Sequence, residues 1–342
     1  MLDTMVPKAK AQRYVVAVDS GGTHTRVGCF DLDGSLLSSV SGRGGSPFHN
    51  RDAEENVKSA VRQCLVEGGL DPADAVAVGA GLAEIRVLRP NEDDAANAWA
   101  EGFFSTLPSR CPRVIVNDAV TAHRGALLGR PGVIVVGGTG SMILAVTGDG
   151  AVIESGRFEH YAGGARHLAF EAMQLIFTGV AEPDDADFVA NVLEYWGAGT
   201  VSELRGIVLE LAALEDIQIR RRYGLLAPLI TAWANTSPLA DRVLNVLVEK
   251  TVRGVLLLAP LLGDVEVSVA TAGALATDSA FRSRLSRALA EQAERRVAVA
   301  PTALDPLRGA ALLACEAAGI VLDDEVIRRL GESQRSFTAA SS

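Results

Sequence analysis

Five consecutive apolar positions, Tyr14 to Val18, mostly β-branched, end on the charge of Asp19. A run of that length closed by a charge predicts a strand buried on both faces. The chain then turns through Ser20-Gly21-Gly22-Thr23-His24-Thr25, and Val27 to Leu32 reads as a second strand closing a hairpin through the tight-turn pair Asp33-Gly34. The layout returns downstream: Gly132 to Val136 is a buried run that passes through Gly137-Gly138-Thr139-Gly140-Ser141 into Met142 to Val146, turned by Gly148-Asp149-Gly150. This repetition predicts an internally duplicated architecture, with one hairpin of glycines and hydroxyls in each domain.

Between the hairpins, Ser41 to Asn50 reads as a loop and 52–64 has helical spacing, with Val57, Ala60, Val61 and Cys64 on one face. Strand 76–80, amphipathic helix 92–104, strand 113–116 and helix 119–128 follow. Their alternation predicts a parallel-type α/β sheet with functional groups at the carboxyl ends of its strands, where Asp19 and Asn117-Asp118 lie. From Ala165 the pattern is mainly helical: 165–177, 186–194, 201–214, 222–234 and 239–262, with Arg220-Arg221-Arg222 read as a solvated turn. Strand 265–270, the turn Thr271-Ala272-Gly273-Ala274, a helix through Glu294, strand 297–300 and a small-residue helix 306–318 complete the chain.

A length of 342 residues exceeds what one core usually serves. The expected organisation is a disordered lead-in over 1–12, domains over 13–128 and 129–305, the second with a helical insertion, and 306–342 returning to the first. A formal charge of −10 argues against nucleic acid or an anionic membrane surface as partner, so an anionic ligand must be held by local groups. Cys29, Cys64, Cys111 and Cys315 are widely spaced, which argues against a zinc site or a disulfide framework and fits a reducing cytoplasm. The most apolar stretch, Val255 to Leu262, is broken by Pro260 and too short to span a bilayer.

The two hairpins suit phosphate, because glycine lets backbone N–H groups approach an anion while neighbouring hydroxyls add donors. An ordinary glycine-rich hairpin explains each of them about as well. Asp19 beside such a loop makes sense if a divalent cation sits between carboxylate and phosphate. Gly79-Ala80-Gly81-Leu82 hints at a dinucleotide fingerprint, but Glu84 stands at the third small position and the opening hairpin is wrong for that fold, so a structural turn is expected there. No Walker A sequence is present. From spacing alone Asp118 is equally a catalytic carboxylate or a helix N-cap.

The order of Asp19 to Thr25, Asn117-Asp118, Gly137 to Ser141 and Ala272-Gly273-Ala274 resembles the actin, hexokinase and Hsp70 superfamily. Within it the chain is similar to the family joining N-acetylglucosamine kinases with the BadF/BadG/BcrA/BcrD ATPases, over roughly residues 13 to 320. The resemblance implies an α/β protein of two actin-like (ribonuclease H-like) domains, each a mixed sheet flanked by helices, with an ATP cleft between them. It implies that Ser20, Gly21, Gly22, Thr23, His24 and Thr25, with Gly138, Thr139, Gly140 and Ser141, clasp phosphate, that Gly273 and Ala274 lie near adenosine, and that Asp19 holds Mg2+. Asp118 would be the general base, and His49, Asn50, Asn117, Gly163, Gly164, Arg166 and His167 would meet the acceptor, with Glu159, His160 and Tyr161 as further candidates. His24 facing solvent and Arg166 opening a surface helix paired to Glu171 are the plainer readings of those two residues.

The family's third hairpin is usually followed by Asn, where Met142 stands, and its acidic sugar-fixing segment reads Gly164-Ala165-Arg166-His167-Leu168. Changed polar contacts predict a changed acceptor. The expectation is an ATP-dependent kinase phosphorylating a hydroxyl of a small sugar, amino sugar or polyol, with a homodimer left open. The alternative is an ATP-hydrolysing regulator of a partner protein, without an iron–sulfur cluster because no cysteine pattern supplies its ligands.

Overall fold

The computed structural model describes residues 12–88, 92, 94–211, 216–263, 266–292 and 296–340, and the side chains of 212–218, 220 and 335–340 lie outside that description. The chain forms two units, one running up to Gly125 and resuming at Leu304, the other Ala126–Ala303. Of the expected lead-in, residues 1–11 lie outside the described residues.

The first unit opens with β1 (Tyr14–Ser20), β2 (His24–Asp31) and β3 (Leu36–Arg43), then α1 (Ala53–Gly68), β4 (Ala75–Leu82), a 3-10 stretch Asp94–Phe104, β5 (Arg113–Asn117) and α2 (Asp118–Leu127). The second contains β6 (Gly132–Gly137), β7 (Ser141–Val146), β8 (Val152–Glu154), α3 (Ala165–Phe177), α4 (Ala186–Trp196), α5 (Val201–Leu211), α6 (Asp216–Trp233), α7 (Pro238–Leu258), β9 (Val267–Ala272), α8 (Ser279–Ala290) and β10 (Val297–Val299). The chain returns to the first unit with α9 (Pro306–Ala317) and α10 (Asp324–Ala340).

The two sheets share one topology, β3-β2-β1-β4-β5 and β8-β7-β6-β9-β10. In each, an antiparallel meander continues into two parallel strands. The duplication expected from the paired hairpins is therefore present at the level of strand order. Both sheets are mixed, as the resemblance implied, because each hairpin forces an antiparallel neighbour on a strand that is otherwise part of a parallel α/β unit.

Tyr14, Val16 and Val18 bury one face of β1 against α1 residues such as Val57, Val61 and Cys64. Val15 and Ala17 are equally buried, and α9 packs on β1 and β4. The small residues of α9 permit that approach: a Cβ on Gly79 of β4 would come within 2.0 Å of the Ala310 carbonyl oxygen. Gly79 is thus a packing residue, and the glycine pair of β4 does not form a nucleotide fingerprint. In the second unit Val133, Val135 and Ile143 join Leu168, Met173, Leu244 and Val255 in the core.

Several elements depart from the sequence reading. Residues 41–43 extend β3 rather than forming loop, because Ser41, Gly42 and Arg43 pair with Arg26, Thr25 and His24. Segment 94–104 is wound as 3-10 rather than α-helix; its apolar side, Trp99, Ala100, Phe103 and Phe104, is nonetheless packed toward the core as the spacing predicted. Strand β9 starts two residues later than expected and includes Thr271 and Ala272, since it pairs with β6 as far as Val136↔Ala272; Val265 lies outside the described residues, as do 212–214 and Glu294 at two expected helix ends. Arg221 and Arg222 lie inside α6, not in a turn: the Arg222 guanidinium stacks 4.4 Å from the Trp196 ring and donates to the Trp196 carbonyl. Among the described residues no helix is long and apolar enough to cross a membrane, and the four cysteines are buried and unpaired.

Candidate active site

In the first unit β1, β4 and β5 lie side by side and parallel, with Ser20 level with Leu82 and Leu82 level with Asn117. Their carboxyl ends place three carboxylates along one sheet edge: Asp19 on β1, Glu84 just past β4, and Asp118 directly after β5. Asp19 faces Arg26 across the hairpin, and its Oδ2 accepts from Arg26 Nε at 3.0 Å and Nη2 at 2.5 Å. Burial pushes the Asp19 carboxyl up; the Arg26 guanidinium opposes this, and Asp305 adds to it.

Asn117 is the true cap of α2. Its Oδ1 accepts from Ala119 N–H at 2.9 Å while its Nδ2 donates to the Ile85 carbonyl at 2.7 Å, so the side chain is 4% exposed and spans β4 and the helix start. Asn117 was expected to meet the acceptor; in the structure its amide makes one bond to the backbone from each end, because the first turn of a helix needs a partner for its N–H groups. This leaves Asp118 at the first helical position rather than as the cap. Burial, followed by the charge of Asp19, pushes the Asp118 carboxyl up to about 7, with Glu84 adding to the rise and the N–H groups of Ala119 and Asp118 opposing it. Asn117→Ala is expected to cost about 2 kcal/mol in urea unfolding, the sum of a lost cap and an orphaned Ile85 carbonyl.

Within the first hairpin Ser20 and Thr25 are fully buried and their hydroxyls meet each other at 2.8 Å. They tie the hairpin together; both were expected to donate to phosphate, and here their hydroxyls engage each other. Thr23 and His24 are exposed, and Gly21 and Gly22 partly so. The loop after β3 lies over this turn: Asn50 Nδ2 donates to Gly22 O at 2.9 Å and Ser46 N–H to Gly21 O at 3.3 Å. The ring of His49 covers Gly22, where a Cβ would approach Nδ1 to 2.9 Å. Ser46 Oγ sits 3.0 Å from His49 Nδ1 and 3.3 Å from Glu84 Oε1.

The second unit builds a comparable turn. Gly138 N–H bonds to Gly140 O at 3.0 Å, and the start of α3 closes on it through Ala165 N–H to Gly138 O at 2.8 Å and Arg166 N–H to Thr139 O at 3.4 Å. A Cβ on Gly164 would lie 2.2 Å from Gly140 O. Gly273, at φ +85°, lets Leu275 and Ala276 donate to Gly137 O at 2.9 and 3.1 Å, which seats the turn carrying Ala274 on the same hairpin. Gly164 N–H points to His167 Nδ1 at 3.3 Å. Burial, then the positive charges of Arg166 and Lys250, hold the His167 imidazole below its ordinary range and keep it a neutral acceptor. Gly163, Gly164, Arg166 and His167 therefore group with Gly138–Ser141.

Glu171 pairs with Lys250 rather than with Arg166, whose Nε is buried without a hydrogen-bond partner. His160 is fixed structurally, Nε2 to the Lys250 carbonyl at 2.9 Å and Nδ1 to Ser155 Oγ at 3.2 Å, and Tyr161 stacks edge-on to His167. Sequence reasoning missed Arg26, Ser46 and Glu84. The signal for Glu84 was its place just past a strand end, which Asp19 and Asp118 share.

Among the described residues no three His, Cys, Asp or Glu side chains form a metal-holding group. Asp19 alone still suits Mg2+, since both Arg26 contacts fall on Oδ2 and that ion takes most of its ligands from phosphates and water.

The profile of a protein family described as the BadF/BadG/BcrA/BcrD ATPase family matches residues 16–314. An N-acetylmuramic acid/N-acetylglucosamine kinase of Clostridium acetobutylicum is 29% identical over 157 residues, 44% of this chain and 48% of that protein. A glucosamine kinase of Vibrio cholerae is 29% identical over 145 residues, 42% and 47% of the two chains. The match thus spans about half the length of each relative. In structure, a candidate N-acetylglucosamine kinase of Chromobacterium violaceum superposes with a TM-score of 0.67 at 24% identity, covering 90% of this chain and 100% of that one.

Proposed function

Because the chain belongs to the BadF/BadG/BcrA/BcrD ATPase family, we propose that it is an ATP-dependent kinase that phosphorylates a hydroxyl of a small sugar or amino sugar, with Asp118 as general base. The observation that carries this reading is the state of Asp118: released from capping by Asn117 and pushed up to about 7, its carboxyl is matched to taking a proton near neutral pH. It accepts the proton of the acceptor hydroxyl as that oxygen attacks the terminal phosphorus and the bond to the leaving diphosphate breaks. In each unit the hairpin tip, Gly21 to His24 in the first and Gly138 to Ser141 in the second, is suited to phosphate, and the partly buried Arg166, whose backbone N–H bonds to Thr139 O, adds positive charge within the second. Gly273 and Ala274 lie toward adenosine. Asp19 Oδ1 would hold Mg2+, which when bound neutralises phosphate charge. The two sugar kinases that share 29% of aligned residues with the chain support the acceptor class.

The experiment is ADP release from ATP with glucose, glucosamine, N-acetylglucosamine and N-acetylmuramic acid. Turnover that requires a sugar and stops when Mg2+ is chelated is expected. ADP release at the same rate with every sugar and with none overturns the kinase reading in favour of an ATP-hydrolysing regulator.

A further inference from the structure

Beyond adding to the rise at Asp118, Glu84 has no role in the chemistry above, yet it lies just past the end of β4, the strand between those of Asp19 and Asp118, on the edge where α/β sheets bind ligands. Its backbone is left-handed at φ +74°, a conformation that costs a non-glycine residue about 1 kcal/mol or more and needs surrounding contacts to hold it. The side chain is exposed, and Oε1 accepts from the fully buried Ser46, which also fixes His49 over the first hairpin. One carboxylate oxygen is thus fixed, and the group as a whole remains open to solvent.

Resting on the kinase reading, we infer that Glu84 is a specificity-determining residue that binds the acceptor, selecting a sugar that presents a hydrogen-bond donor, best a protonated amine, and disfavouring one that carries a carboxylate. An ionised carboxylate only accepts hydrogen bonds, so the facing group must donate. A charge-assisted bond from an ammonium is the strongest such partner, whereas a sugar carboxylate would meet like charge. Of the acceptors in the panel, glucosamine fits this requirement, N-acetylglucosamine offers a weaker amide N–H, and N-acetylmuramic acid brings a repelling anion.

The test compares wild type with Glu84→Gln, which keeps an oxygen for Ser46, and with Glu84→Gly, which suits the left-handed backbone. Wild type is expected to use glucosamine with the lowest KM of the panel. Glu84→Gln should raise the glucosamine KM about tenfold to a hundredfold, leave the ATP KM unchanged, and improve N-acetylmuramic acid relative to glucosamine. Glu84→Gly should show the same acceptor defect with no loss of Tm. If both variants keep the wild-type ranking and KM values, or if Glu84→Gly loses activity only in step with Tm, the assignment is overturned and the kinase reading stands. If no sugar is turned over, the kinase reading fails by itself, and calorimetric binding of the same panel then reads Glu84: equal affinities in wild type and Glu84→Gln overturn the assignment.

Discussion

Asp118→Asn is expected to lower kcat by about three orders of magnitude while leaving the affinity for ATP within about twofold, because the carboxylate would act on the acceptor and not on the nucleotide. The size of the effect follows from what Asn cannot do: it keeps the shape of Asp118 but takes no proton. A general base works only when ionised, so wild-type kcat/KM should fall as pH drops through about 7, where this carboxyl titrates. The same shift has a stability consequence of opposite sense. The unfolded chain ionises Asp118 near the ordinary carboxylate value, so between that value and about 7 the folded state holds the extra proton and stability declines as pH rises. Asp118→Asn should therefore stabilise the protein above pH 7, by on the order of 1–2 kcal/mol once partial exposure is allowed for, and have little effect near pH 4. An inactive variant that unfolds at a higher temperature than wild type in alkaline buffer would distinguish a strained catalytic carboxyl from a structural one.

Gly164→Ala is expected to abolish the nucleotide-induced thermal shift and to cost about 2–3 kcal/mol of stability. Its added Cβ would fall 2.2 Å from the Gly140 carbonyl oxygen, and backbone cannot swing aside as a side chain does. The start of α3 would have to withdraw from the second hairpin, breaking the bonds from Ala165 to Gly138 and from Arg166 to Thr139. Because Arg166 moves with that turn, the hairpin loses both its support and the neighbouring cation. Differential scanning fluorimetry with and without a non-hydrolysable ATP analogue reads both effects; a variant with normal stability and a normal nucleotide shift would show that the close contact has no role in binding.

The fold was legible where the sequence obeys local rules. The apolar runs before Asp19 and Gly137 became β1 and β6, and the spacing over 165–177 became α3. Its limits were equally physical. Ser41 to Arg43 carry no strand preference and became strand because β2 supplied hydrogen-bond partners. Helix α10, whose Arg329 pairs with Asp33 in the β2–β3 turn, was not read because its few apolar residues make sense only against the unit it returns to. For the candidate site, residue type and order brought out Asp19, Asp118 and both hairpins. What spacing could not assign was how each polar side chain is used: Asn117 and not Asp118 caps the helix, Ser20 and Thr25 bond to each other, and Glu84 sits beside the two aspartates rather than in a bland turn.

Transfer of a phosphoryl group from ATP to a sugar hydroxyl is read by phosphorus NMR of the protein with ATP, Mg2+ and glucosamine. A new phosphomonoester resonance that grows in step with ADP, with inorganic phosphate at background, is the expected result. Inorganic phosphate accumulating one for one with ADP, and no sugar phosphate with any member of the panel, would contradict it.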